Sequence, residues 1–253
     1  MKLQNKVAIV TGAGAGIGKG TAELMAEEGA KVVVAELDPR TGAETAAAIQ
    51  ARGGQAHFVQ ADVSREADAR NITDEAVRKF GRVDILVNNA AVFVLKGFGA
   101  SVEEWQKSLG VNVIGNALVS RYAVEAMKKA GGGAIVNLAS ISSLVAQPDF
   151  FAYSATKAAI LQMTRCMAMD LGPHKIRVNA VCPGTILTEA SERHMKQSGL
   201  TFEQFNAEEG EKTLLGRIGQ VREVAAAIVF LASEDASYIT GSHVMVDGGY
   251  TAK

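Results

Sequence analysis

Cysteine is scarce in this chain: Cys166 and Cys182 are the only two among 253 residues, and neither stands at a metal-like spacing from another ligand. Cys166 falls inside a helical pattern and Cys182 at the end of an apolar run, so both read as buried thiols. Histidine is equally sparse. His57, His174, His194 and His243 stand singly, with no HxxxH pair and no His/Cys cluster, and no metal site is expected. An excess of either charge is also missing. With a formal net charge of -1 the chain has no electrostatic reason to bind nucleic acid or anionic lipid, and neither is expected as a partner. The first apolar run, Val7 to Val10, is too brief for a secretory core or a membrane span, so a cytoplasmic protein with no membrane partner is expected. No proline-rich linker, low-complexity tract or internal repeat interrupts the chain. Residues 1–253 are therefore expected to form a single domain, a length that one α/β unit can fill.

What is present is a recurrence of short β-branched runs: Val7 to Val10, Val32 to Val34, Ile85 to Val87, Ile135 to Val136, Val178 to Val181 and Val244 to Val246. They do not alternate with polar residues. Unbroken apolar runs imply strands covered on both faces, as in a parallel sheet sandwiched between helices. Helical spacing fills the intervals. Ile17 to Glu28 ends at Gly29, Asp38-Pro39 resembles a cap with proline in the first turn, and Ser101…Glu104 and Thr201…Gln204 fit the capping-box pattern. Alternation of strand and helix predicts an α/β fold: a doubly wound, Rossmann-like parallel sheet with helices on both faces and ligands beyond the strands' carboxyl ends. The polar stretch 188–219 breaks the pattern and predicts a mobile substrate flap with a short helix inside.

Immediately after the first run comes Thr11-Gly-Ala-Gly-Ala-Gly-Ile-Gly18. A GxGxxG reading fails, but GxxxGxG fits through Gly12, Gly16 and Gly18. Glycines let a backbone approach a pyrophosphate that the following helix N-terminus attracts, although such a string also suits a plain strand-to-helix turn. Glu36 ends the second run about 20 residues further on, where a carboxylate can accept hydrogen bonds from both ribose hydroxyls and repels a 2'-phosphate. Ala15 and Leu37 supply no cation for such a phosphate. NAD is therefore expected over NADP.

Tyr153-Ser-Ala-Thr-Lys157 places a phenol and an ammonium on one helix face. At ~4 Å and an effective dielectric of about 20, their attraction is about 4 kcal/mol, equivalent to roughly three pKa units. That shift predicts a phenol tuned close to neutrality and able to carry a proton while hydride moves to or from a nicotinamide. One such pair is a weak signal alone. Ser140, at the carboxyl edge of the predicted strand Ala134 to Ala139, adds a hydroxyl that could polarise a carbonyl, or merely cap a turn.

Taken in order, Thr11 to Gly18, Asp62-Val63, Asn88-Asn-Ala90, Asn112, Ser140, Tyr153 with Lys157, Pro183-Gly184 and Thr188 resemble the short-chain dehydrogenase/reductase family, in its compact single-domain subgroup. The resemblance covers essentially the whole chain. It implies a catalytic set of Asn112, Ser140, Tyr153 and Lys157, with Asn112 fixing a water that relays protons to Lys157. It further implies that the cofactor is held by Gly12, Gly16, Ile17, Gly18, Glu36 and Leu37, with Asp62 at the adenine amino group and Val63 beside the ring. Asn88, Asn89 and Ala90 would follow the cofactor's path, and Tyr153 and Lys157 would also bind the cofactor, Lys157 at the nicotinamide ribose. Pro183, Gly184, Ile186 and Thr188 would hold the carboxamide end. The family's usual Asn-Asn-Ala-Gly reads Asn88-Asn89-Ala90-Ala91 here, and the extra methyl could narrow the pocket. By the same resemblance the chain is expected to form a homotetramer or homodimer, through the helices around Asn112 and Tyr153 and the tail Val244 to Tyr250.

The expected activity is NAD-dependent interconversion of a secondary alcohol and a ketone of a small molecule. An NADPH-dependent 3-oxoacyl reductase is the alternative enzyme, and a non-catalytic NAD-sensing scaffold the alternative of another class. Val92, Phe93, Val94, Leu144, Val145 and Phe150 are candidate pocket walls; Gln147, Glu189, Arg193 and His194 are candidate readers of polar groups. None of these residues selects among a sugar, a cyclic diol, a hydroxy acid and a steroid-like ring.

Overall fold

The computed structural model describes residues 1–253. Its first half runs β1 (Val7–Thr11), α1 (Gly16–Glu27), β2 (Lys31–Glu36), α2 (Pro39–Ala51), β3 (Gln55–Gln60), α3 (Glu66–Phe80), β4 (Ile85–Asn88), α4 (Val102–Leu109) and α5 (Asn116–Ala130). There follow β5 (Gly133–Leu138), α6 (Phe151–Leu171), β6 (Ile176–Pro183), β7 (Ile186–Leu187), α7 (Glu189–Ser198), α8 (Phe202–Gly210), β8 (Gly219–Gln220), α9 (Val221–Ala232) and β9 (His243–Val246). Seven strands form one sheet in the order β3-β2-β1-β4-β5-β6-β9, and every neighbouring pair is parallel. The chain reverses direction across the sheet between β1 and β4, which opens a crevice at their carboxyl ends.

Burial explains the sequence pattern. In β1, Ala8 and Val10 pack toward α1, α2 and α9, while Ile9 between them packs toward α3 and α5. Both faces of the strand are covered, so consecutive residues are apolar. Each fully buried Val or Ile contributes about 1.5–3 kcal/mol, and the same two-sided burial recurs at Val32, Val33 and Val34. No helix is long and apolar enough to cross a membrane.

Two sequence-based expectations need correction, and one strand has no apolar run to announce it. A seventh strand, β3, lies at the sheet edge, where Gln55 and Gln60 are exposed and only Ala56 and Val59 are buried; without a continuous apolar run it has no two-sided signature. Cys166 is exposed, because α6 turns it away from the sheet, whereas Cys182 is buried in β6. The segment 188–219 holds two helices rather than one, each opened by a capping box, at Thr188 and Thr201. Its two ends meet as the parallel pair β7 and β8.

Candidate active site

A cleft of about 490 Å³ follows the carboxyl ends of β1, β2, β4, β5 and β6. At one end lie Glu36, Leu37, Asp62 and Val63; at the other, Ser140, Tyr153 and Lys157. The rest of the lining includes Gly12, Gly16 and Ile17, Asn89, Ala90 and Ala91, and Pro183, Gly184, Ile186 and Thr188. Ala91 is among the residues that line the cleft.

The glycine turn is held by Asn89, whose amide donates to the Thr11 and Gly12 carbonyls at 2.9 Å each. The Thr11 hydroxyl accepts from Asn89 and Ala90 backbone N–H groups, tying β1 to β4. A Cβ at Gly12, where φ is +62°, would meet the Ala90 Cα at 2.8 Å. Gly18 does not line the cleft; it faces the turn's own backbone, where a Cβ would lie 2.1 Å from the Gly12 carbonyl. Glu36 is fixed by three backbone donors, Gly14 at 2.9 Å, Leu37 at 2.8 Å and Asp38 at 3.2 Å. Asp62 accepts from the Ser64 N–H at 3.0 Å and hydroxyl at 2.6 Å. A backbone cradle without side chains, a helix N-terminus and a carboxylate at the next strand end fit a dinucleotide.

Asn88 turns the other way. Its amide donates to Ser120 of α5 and Asn137 of β5, in the middle of the sheet, so it supports the cleft without lining it. Asn112 is also buried outside the cleft, in a π-type segment, Gly110–Gly115, between α4 and α5. Its side chain accepts from the Val92 N–H at 2.8 Å and donates to the Val92 carbonyl and the Thr156 hydroxyl, each at 3.0 Å. That amide joins the loop after β4 to the turn of α6 that carries Tyr153.

Tyr153 is buried between two aromatic rings, Phe93 stacked at 4.9 Å and Phe150 edge-on at 5.7 Å. Lys157 is buried as well. Its ammonium donates to the Leu138 carbonyl at 2.6 Å and lies 5.6 Å from the Tyr153 ring centroid. Burial raises the Tyr153 phenol above its ordinary range, while the Ser140 hydroxyl pulls it the other way. It lowers Lys157 to about 8, with Cys182 acting in the opposite sense. The Cys182 thiol itself is pushed up to about 11, mainly by burial, and stays neutral. Burial thus works against the expected lowering of the phenol's pKa, and the Lys157 ammonium is directed at the Leu138 carbonyl.

The Lys157 shift has a measurable consequence. Between about pH 8 and its ordinary value of 10.5, the unfolded chain binds the proton that the folded chain has released. Stability therefore rises with pH across that window, by at most about 1.4 kcal/mol per pH unit from this group. Urea midpoints at pH 8 and pH 10 are expected to rise less in Lys157→Met than in the wild type; equal rises would refute the depressed pKa.

Of the other candidate polar readers, Glu189 and Arg193 line the cleft, whereas His194 packs against Phe205 and Gln147 bonds Ser142. Val92 and Phe93 are walls, but Val94, Leu144, Val145 and Phe150 are not. Beyond its place in the motif, nothing in the sequence marks Thr11 as the tie between β1 and β4, and nothing marks the reach of Glu189 across the cleft.

The parallel order, glycine turn and Ser/Tyr/Lys group in one crevice define a Rossmann-like oxidoreductase scaffold. Comparison with known proteins agrees. The family model described as enoyl-(acyl carrier protein) reductase matches residues 12–251. An uncharacterized oxidoreductase of Thermotoga maritima is 44% identical over 258 residues, covering 100% of both chains. A cyclopentanol dehydrogenase of Comamonas is 40% identical over 252 residues, covering 99% of each. The solved structure of a 7α-hydroxysteroid dehydrogenase complexed with NADH and 7-oxo glycochenodeoxycholic acid superposes with a TM-score of 0.91, at 36% identity, over 98% of this chain and 95% of that one. The chain belongs to the short-chain dehydrogenase/reductase family.

Proposed function

We propose that this protein interconverts a secondary alcohol and a ketone of a small molecule with NAD, using Tyr153 as general acid and base. The observation that carries the reading is the convergence of Ser140, Tyr153 and Lys157 in the cleft that the glycine turn opens. NAD, when bound, supplies the hydride acceptor and NADH the donor. Gly12, Gly16, Ile17 and Gly18 form or brace the pyrophosphate turn, and Asp62 with Val63 receives the adenine. Thr188 offers its hydroxyl proton to the carboxamide beside Pro183, Gly184 and Ile186, since its oxygen already accepts from the Ser191 N–H.

Ser140 holds the substrate oxygen by donating a hydrogen bond, and Tyr153 takes the hydroxyl proton in oxidation or returns it in reduction. Lys157 stabilises the phenolate while it lasts and bonds the nicotinamide ribose. Asn112 holds the relay water toward Lys157 and, through Val92 and Thr156, keeps the loop and helix aligned.

Preference for NAD rests on Glu36. Its carboxylate is pinned by three N–H groups and cannot swing away from an added 2'-phosphate. In fluorescence titration the wild type is expected to bind NADH at least tenfold more tightly than NADPH, and Glu36→Ala to narrow that gap, each like-charge contact being worth on the order of 1–2 kcal/mol. NADPH binding as tight as NADH would favour the 3-oxoacyl reductase instead, in line with the acyl-carrier description of the matched family model. A substrate panel opening with cyclopentanol and hydroxysteroids, the classes named for two similar proteins, tests the catalytic reading. Cofactor binding without hydride transfer to any member would favour a sensor.

A homotetramer or homodimer is part of the same reading. Val102, Leu109, Phe151 and Met169 leave exposed apolar surface on α4 and α6. Sedimentation is expected to give a dimer or tetramer, and a monomer at micromolar concentration would contradict it.

A further inference from the structure

Helix α1 opens onto the cleft, yet nothing near it in sequence caps it. Ala15 occupies the capping position without a side-chain acceptor, and the first turn contains no acidic residue. A local cap would occupy the N–H groups that a ligand phosphate needs. The acceptor comes instead from far along the chain. The Gly16 N–H donates to Oε2 of Glu189 at 2.8 Å, across a separation of 173 residues.

Glu189 is the first residue of α7, and Arg193 follows one helical turn later. A glutamate four residues before an arginine is the favourable order for a pair on one helix face, and here the pair is not made. Every other arginine in the chain has a carboxylate, carbonyl or amide partner; Arg193 has none, and it lines the same cleft.

We propose that Glu189 is a removable anionic cap on the dinucleotide's phosphate site, and that Arg193 receives its carboxylate when a phosphate takes its place. The inference rests on the dinucleotide reading above. Two anions cannot share the Gly16 N–H, and their repulsion drives the weaker ligand off. Side-chain rotation alone carries Glu189 toward Arg193, since both project from the same helix. Before cofactor arrives α7 is fastened to α1; afterwards that fastening is replaced by a pair within α7. Affinity for the cofactor is thus set by competition inside the chain.

The test compares wild type, Glu189→Gln, Arg193→Met and the double variant, with NADH binding followed by fluorescence and inorganic pyrophosphate binding by calorimetry. Glutamine keeps the shape of the cap and removes its charge. Glu189→Gln is expected to tighten both ligands about three- to tenfold and Arg193→Met to weaken both by a similar factor. The weakening disappears in the double variant, because no displaced carboxylate then needs a partner. Unchanged or weaker binding in Glu189→Gln overturns the proposal. So does a weakening by Arg193→Met that persists in the double variant, which would make Arg193 a direct phosphate ligand, or an effect of Arg193→Met confined to the alcohol's KM. If pyrophosphate follows the expected pattern while NADH binds none of the four proteins, the cap stands and the cofactor reading fails. If neither ligand binds, both fail.

Discussion

Tyr153→Phe is expected to lower kcat for alcohol oxidation by about 10²- to 10⁴-fold, the range that a positioned general acid or base contributes. The substitution removes one oxygen and little else. Phe retains the ring that Phe93 stacks against at 4.9 Å and that Phe150 meets edge-on at 5.7 Å, so the fold and the cofactor affinity should persist. Steady-state rates, NADH binding and the melting temperature together separate the cases. A large rate loss with binding and melting unchanged assigns the proton transfer to this phenol. Retention of most of the wild-type rate would remove Tyr153 from the mechanism, and a drop in melting temperature that accounts for the lost rate would make its role structural.

Gly18→Ala places its methyl outside the cleft but against the glycine turn that borders it, and should displace that turn. The added carbon would sit 2.1 Å from the Gly12 carbonyl and 2.4 Å from the Asn89 amide nitrogen. Neither neighbour is free to yield, because that amide already donates to the Thr11 and Gly12 carbonyls. Overpacking of this kind costs about 1–3 kcal/mol, which for a chain of this length lowers the melting temperature by roughly 2–12 °C. NADH affinity should fall by more than about tenfold, since displacing Gly12 moves the cradle itself. Wild-type melting and binding in this variant would show that the turn has slack, and would weaken the case for its role in holding a pyrophosphate.

Much of this arrangement was legible in the chain because its signals are local. Tyr153 and Lys157 lie one turn apart on α6, as their spacing predicts, and apolar runs such as Val7 to Val10 become strands buried on both faces. Asp38 does cap α2, accepting from Arg40 at 2.8 Å, and the Ser101 and Thr201 capping boxes form. Long-range features were not legible. The burial that raises Tyr153 depends on Phe93 and on what packs around α6, not on the four-residue spacing. Asn88 and Asn89 are adjacent in sequence, yet strand alternation sends one beneath the sheet and the other to the glycine turn. The edge strand β3 lacks an apolar run because only part of it is covered. Glu189 meets Gly16 only because β7 delivers α7 to the cleft, which nothing local to either residue announces.

The pairing of β7 with β8 bears on how substrate range could change. Leu187 and Gly219 lie on adjacent strands, so everything between them leaves the body and returns at one place. Closing such a loop depends only weakly on how many residues it contains. The first part of that stretch, Thr188 to Arg193, borders the cleft, so an insert of different length or composition is best grafted beyond Arg193, where it leaves the cleft lining, Ser140, Tyr153 and Lys157 included, as it is.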